Sequence, residues 1–244
     1  NKAIEVLQRK GYNSFTLSDE VAFSHDLDEE KGLIIVSLST EKAPAEIRYT
    51  KDGVNPSRAS YLYKGSIAVD DSLDITAQVF QNGEAIGEAV SRRFDYHRGI
   101  GKEIAYNIPI NKYYPAAGEN ALIDGLNGGL SHSDGRWQGF LKGVDVTIDM
   151  GEVTTLNSIN ARFMQSVGPH IWFPEYVKIS VSDDNENFTT IKDTQNTISR
   201  EKRGTIFETF GWQGDIEARY IRYEAPAIDV KGGAWVFVDE ITIW

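Results

Sequence analysis

Apolar residues along this chain recur at every second position far more often than at helical spacing. Ala45, Ile47 and Tyr49 alternate with other residues, as do Ile75, Ala77 and Val79, and each run predicts a half-buried strand. The second half repeats the pattern at Val144, Val146 and Ile148, at Val177, Ile179 and Val181, from Tyr220 or Ile221 to Tyr223, and at Ile241 and Ile243. Turn formers separate the runs: Asp52-Gly53, Asn82-Gly83, Asp124-Gly125, Asn127-Gly128-Gly129, Asp134-Gly135 and Asp183-Asp184-Asn185. Short strands closed by such turns predict an all-β chain of two antiparallel β-sandwiches in tandem. Only residues 2–10 carry a helical pattern, and that piece is too short to stand alone.

The length of 244 residues suits two domains better than one. All five Trp lie after residue 130, so the halves differ in kind. The break falls within Asp95 to Asn107, where Gly99 and Gly101 interrupt the strand pattern and permit a change of direction. The expected organisation is a segment at 1–20 following a missing upstream domain, a first sandwich at 21–96, a linker at 97–104 and a second sandwich at 105–244. The chain begins at Asn1 rather than Met and is read as cut from a longer polypeptide.

Composition narrows the function. Asp plus Glu number 36 against 25 Lys plus Arg, a net charge of -11 that repels phosphate backbones and anionic lipid alike. Nucleic acid is therefore not an expected partner. Apolar runs are too short for membrane insertion. Without cysteine there are no disulfides, thiolate metal sites or cysteine nucleophiles. Hydrolysis by this chain itself would need an acid pair or a nucleophile with its base, and no triad-like or P-loop motif is present among residues that include only four His. Asp26, Asp28, Glu29 and Glu30 beside His25 lack a second ligand group at fixed spacing and read as a solvated loop.

In the first half, Glu46-Ile47-Arg48-Tyr49-Thr50-Lys51-Asp52-Gly53-Val54-Asn55-Pro56-Ser57 describes a strand ending in a tight turn, with Pro56 holding the loop extended. Ser60-Tyr61-Leu62-Tyr63-Lys64-Gly65 follows, with both Tyr on one side of the next strand. This text resembles the small C-terminal sandwich of chitobiases and other β-hexosaminidases of glycoside hydrolase family 20, an immunoglobulin- or fibronectin type III-like module. The resemblance implies a spacer or packing role beside an upstream catalytic domain of the same chain.

In the second half, Tyr113-Tyr114, Gly118-Glu119-Asn120-Ala121-Leu122-Ile123-Asp124-Gly125, Trp137-Gln138-Gly139-Phe140, Val146 to Gly151, Phe173 to Asp184 and Trp235 to Ile241 follow one another. This order resembles the discoidin or coagulation-factor type C domain, a galactose-binding-like jelly roll found in bacteria mostly as family 32 carbohydrate-binding modules. The resemblance implies a structural calcium ion held by the carboxylates of Asp124 and Glu240 and by backbone oxygens of Ala121, Leu126, Gly129 and Asp239. Gly129 departs from the family, which often has a hydroxyl residue there, and the lesser alternative for Asp124 is a turn former before Gly125.

Sugar binding in that family uses loops at one end of the sandwich, with an aromatic ring beneath the sugar and polar side chains on its hydroxyls. The candidates are His132, Arg136 and Trp137 on one loop, His170 and Trp172 on another, and Trp235, with Trp212 as a further contributor. Trp137 and Trp235 read equally as core packing. Gly168-Pro169 and Pro174 bracket Trp172 and point to an exposed loop position. Together the resemblances imply a non-catalytic carbohydrate-binding and spacer region of a secreted β-N-acetylhexosaminidase. It would sit in the periplasm or at the cell surface of a Gram-negative bacterium and target the enzyme to terminal sugars of the galactose or N-acetylhexosamine type. The alternative is a purely structural pair of modules packing on the catalytic barrel or its oligomer.

Overall fold

The computed structural model of the chain describes residues 18–28 and 30–244. The helical stretch expected at residues 2–10, most of the segment 1–20 and Glu29 of the acidic loop lie outside them. Among the described residues the fold is all-β, with fourteen strands and no helix. Correspondingly, no helix there is long and apolar enough to cross a membrane.

The first seven strands are β1 (Ala22–Asp28), β2 (Leu33–Ser39), β3 (Glu46–Thr50), β4 (Tyr61–Leu62), β5 (Ile67–Val69), β6 (Leu73–Gln81) and β7 (Glu84–Phe94). They form a three-stranded sheet in the order β1-β2-β5 and a four-stranded sheet in the order β4-β3-β6-β7. The expected alternation is visible in burial, with Ile34, Val36 and Leu38 of β2 and Ile75, Ala77 and Val79 of β6 all removed from solvent. Asn82 and Gly83 join β6 to β7 with φ of 53° and 79°, the paired left-handed geometry that a two-residue hairpin turn requires.

Seven further strands are β8 (Glu103–Tyr106), β9 (Gln138–Phe140), β10 (Gly143–Ser166), β11 (Tyr176–Ser182), β12 (Thr189–Gln195), β13 (Thr205–Pro226) and β14 (Val236–Ile243). They build one sheet in the order β12-β11-β13-β10-β14-β9, with β8 pairing β10. The sheet can surround a core because β10 and β13 are long and irregular. β10 meets β8 at residues 146–149 and β14 at residues 159–164, and its pairing with β13 slips between Asp149 and Thr154 and again between Leu156 and Ser158. Each slip bends the strand and can exchange which residues face inward. Val144, Val146, Ile148 and Leu156 are buried at even positions, whereas Ile159, Ala161 and Phe163 are buried at odd ones, all in the same core.

β14 carries a similar irregularity. Arg162 pairs Glu240 and Phe163 pairs Val238, which leaves Asp239 as an extra residue between them. Val236 and Val238 before it, and Ile241 and Ile243 after it, consequently face the same core. The opposite face of β10 and β14 covers a smaller cluster of Trp137, Met164, Ile171 and Phe237.

By their contacts the residues fall into two compact units. One comprises residues up to His25, Val36–Ile67 and Leu73–Arg92; the other comprises Asp26–Ile35, Ala68–Ser72 and Arg93–Trp244. The units thus interleave in sequence. Residues 97–104, expected as a linker, belong to the second unit: His97 and Ile100 are buried, and β8 begins at Glu103.

Candidate functional site

Two groups of residues in the second unit carry recognisable chemistry. The first gathers around the loop that follows Asn120. Its turn places the Leu126 amide where it donates to Asp124 Oδ1 at 2.9 Å and to Glu240 Oε2 at 3.1 Å. Two carboxylates therefore converge on one N–H, and both are buried. His97 lies 2.8 Å from the other Glu240 oxygen through Nε2. The Gly99 amide, at 3.0 Å, donates to His97 Nδ1, so that nitrogen is the acceptor and Nε2 carries the proton given to Glu240. Burial pushes the His97 pKa down to about 4, which keeps the ring neutral at physiological pH. Burial also pushes Glu240 well above the usual carboxylate range, and the charges of Asp124 and Asp239 push in the same direction.

The Asp239 bulge places a third carboxylate beside this pair. Asp239 Oδ2 accepts from the Gly128 amide at 2.7 Å and from Arg162 Nε at 2.9 Å, while Arg162 Nη2 donates to the Gly128 carbonyl at 2.5 Å. Its Oδ1 is buried and has no hydrogen-bond partner among the described residues. Burial raises the Asp239 pKa to about 6 even though Arg162 works against it.

Asp124 and Glu240 are the side chains able to hold a cation here, and their all-oxygen chemistry fits a hard ion such as calcium. Among the described residues no three His, Cys, Asp or Glu side chains form a metal-holding group, so further ligands would have to be backbone carbonyls. One expected carbonyl is already engaged: Gly129 O accepts from Trp137 Nε1 at 3.0 Å.

The second group lies over the small cluster beneath β14. Buried Phe237 supports Tyr114, whose ring centroid is 4.8 Å away, and Trp235 at 5.9 Å and His132 at 5.7 Å. Tyr114 also meets Trp235 at 5.1 Å and His132 at 5.8 Å, both edge to face. Tyr114, His132 and Trp235 are all half-buried, so their rings are not lost to the core. Next to them Trp235 N donates to His170 O at 2.9 Å and Trp172 N donates to Trp235 O at 3.0 Å. This pairing aligns exposed His170 with half-buried Trp172, whose rings lie 5.4 Å apart. Trp172 is anchored through Nε1 to Arg200 O at 3.1 Å. A hollow of about 460 Å³ lined by Ser166, Val167, Gly168, Arg203, Gly204 and Thr205 adjoins the turn before His170.

Trp137 is not part of this surface. It is 1% exposed, and its indole stacks on Phe207 at 5.5 Å with Arg162 over the ring at 5.2 Å. A sugar has no face of this ring to reach, so the platform role expected for it is corrected to core packing. Trp212 packs at the edge of the main core. The Arg136 guanidinium is held on the Asn127 carbonyl at 3.1 Å. Tyr114, absent from the candidates above, is the ring common to most of these contacts; its signal in the sequence was the aromatic pair Tyr113-Tyr114 before Pro115.

Residues 109–241, more than half of the chain, match the family model of the F5/8 type C domain. The chain belongs to the F5/8 type C domain family. Residues 31–91, before the F5/8 type C region, match the model of the chitobiase/beta-hexosaminidase C-terminal domain. No match is found among curated protein sequences. Similar solved structures include CpGH89CBM32-6 produced by Clostridium perfringens, with 17% identity over 59% of this chain and 92% of that one and a TM-score of 0.37. The CBM32 of AlyQ, in complex with 4,5-unsaturated mannuronic acid, shows 18% identity over 58% of this chain and 93% of that one, with a TM-score of 0.38. Chitosan-binding module 1 from a chitosanase/glucanase of Paenibacillus sp. IK-5 shows 16% identity over 61% and 98%, with a TM-score of 0.40. Apart from His97 and Gly99, which precede the F5/8 type C region, both groups of residues lie within it, on loops, on β10 and on the final strand β14.

Proposed function

We propose that the F5/8 type C region binds a terminal sugar of galactose or N-acetylhexosamine type, with Tyr114 and Trp235 as the apolar platform and His132 on the hydroxyls. His170 and Trp172 border the same surface. The observation carrying this reading is the contiguous set of half-buried rings over Phe237. A pyranose presents an apolar C–H face that packs on aromatic carbon, while imidazole nitrogen and phenol oxygen supply directional partners for hydroxyls. Binding of one sugar ring is weak, because its hydroxyls exchange water bonds for protein bonds at small net gain. Affinity in the millimolar to high micromolar range, about 4 to 6 kcal/mol, is expected. Such affinity serves an enzyme tethered to the module by raising its local concentration at the glycan.

The match of residues 31–91 supports a β-N-acetylhexosaminidase as that enzyme, working outside the cytoplasm, with the first sandwich as a spacer at 21–96. Calcium at Asp124 and Glu240, with the carbonyls of Ala121 and Leu126, belongs to the same proposal. A bound calcium would supply the positive charge that two buried, convergent carboxylates lack.

Titration of the whole chain with galactose, N-acetylgalactosamine and N-acetylglucosamine, followed through the indole resonances, tests the sugar reading. The Trp235 signal should move, and Trp235→Ala or Tyr114→Ala should abolish the response. No moving indole signal up to tens of millimolar, together with a blank glycan array, would overturn it in favour of a structural pair of modules.

A further inference from the structure

The segment that follows β7 touches the Asp124 loop at two places and β14 at a third. Asp95 N donates to Gly125 O at 2.9 Å, Asn127 Nδ2 donates to Asp95 Oδ2 at 2.5 Å, and His97 reaches Glu240. Two peptide amides, from Gly99 at 3.0 Å and Ile243 at 3.4 Å, address His97 Nδ1 and hold the ring in its Nε2–H form. Gly99 is required for this: a Cβ there would lie 2.8 Å from His97 Cε1 and 2.9 Å from Nδ1. One oxygen of Glu240 is therefore fixed by the imidazole and the other by Leu126, whose amide also holds Asp124.

We infer that His97 is a positioning residue for calcium: it orients Glu240 toward Asp124, so that the 95–99 segment and the 124–127 loop become ordered together when the ion binds. The inference rests on the calcium reading proposed above and adds a residue and a segment to it. Partners one layer out from a metal fix the orientation of its ligands, and their loss typically lowers metal affinity. The imidazole here does so for a carboxylate from a stretch 143 residues earlier in the chain.

Calorimetric titration of the whole chain with calcium, for wild type, His97→Phe and His97→Gln, tests this. Phe keeps a ring but has no donor; Gln offers an N–H toward Glu240. The expected result is affinity about 10- to 100-fold weaker for His97→Phe and largely recovered in His97→Gln. Melting in calcium and in chelator supplies a second readout. A merely structural His97 would lower both melting temperatures equally, whereas a positioning role narrows the gap between them. Should the Phe variant fail to fold, amide hydrogen exchange of the wild type decides: calcium must slow exchange at both Gly99 and Leu126, and slowing at Leu126 alone overturns the inference. Unchanged calcium affinity in His97→Phe overturns the role of His97 and leaves the calcium reading intact. Absence of calcium binding by the wild type overturns both.

Discussion

Gly128 lies on the loop between the carboxylate group and the aromatic surface, and its missing side chain is filled by the Trp137 indole. A Cβ at this position would fall 2.2 Å from Trp137 Nε1 and 2.4 Å from Cε2. In Gly128→Ala the ring would have to retreat by more than an ångström, yet it is 1% exposed, bonded through Nε1 to Gly129 O and stacked on Phe207. Overpacking of this kind costs about 1 to 3 kcal/mol, and losing the indole hydrogen bond adds about 1, so about 2 to 4 kcal/mol of stability should disappear. Urea unfolding followed by tryptophan fluorescence reads this unit selectively, because all five Trp lie in it. With a slope of about 2 kcal/mol per molar urea, the midpoint should fall by about 1 to 2 M. Gly168→Ala is the control: a Cβ there meets nothing within 4 Å, and the change should stay within about 0.5 kcal/mol. A Gly128→Ala midpoint equal to that control would refute the placement of the indole and, with it, the rigidity of the loop.

Arg162→Met should cost about 3 to 5 kcal/mol in the same unfolding assay, since it strips the fully buried Asp239 of its ionic partner; a loss below 1 kcal/mol would show that the pair does not hold the bulge. Asp145 sits between opposing influences: burial raises its pKa, but the bonds from Arg222 and Asn107 prevail and hold it below its ordinary value. Its folded pKa is depressed, so its contribution is present above about pH 4 and is lost as pH falls through the folded pKa. Asp145→Asn should therefore be about 1 kcal/mol less stable than wild type at pH 7, with the gap closing in strong acid. Urea midpoints at the two pH values check this, and a gap independent of pH would count against it.

The strands were legible because alternation follows directly from the pleat. Val144, Val146 and Ile148, and Val177, Ile179 and Val181, are buried as that period demands. What alternation could not reveal is a change of phase. Nothing local marks the slip after Leu156 or the extra residue at Asp239, which are set by pairing with distant strands. The same limit governs the site. Trp235 and His132 were legible as aromatic and polar loop residues, but Trp137 has the same chemistry and a buried address, because Gly128 and Phe207 happen to make room for it. His97 and Arg162 carried no signal at all; each acquires its role only when folding brings it to a carboxylate on β14.

The single extra residue in β14 also sets rules for insertion and deletion in this strand. Removing Asp239 alone would leave a regular ladder, with Glu240 still opposite Arg162 and Ile241 and Ile243 still on the main core, and would cost only the bulge and its carboxylate bonded to Arg162. Removing both Asp239 and Glu240 would instead put Val236 and Val238 out of phase with Ile241 and Ile243. A single-residue length change among descendants of this chain should therefore be tolerated at Asp239, whereas elsewhere along β14 only even steps keep the apolar positions on the core.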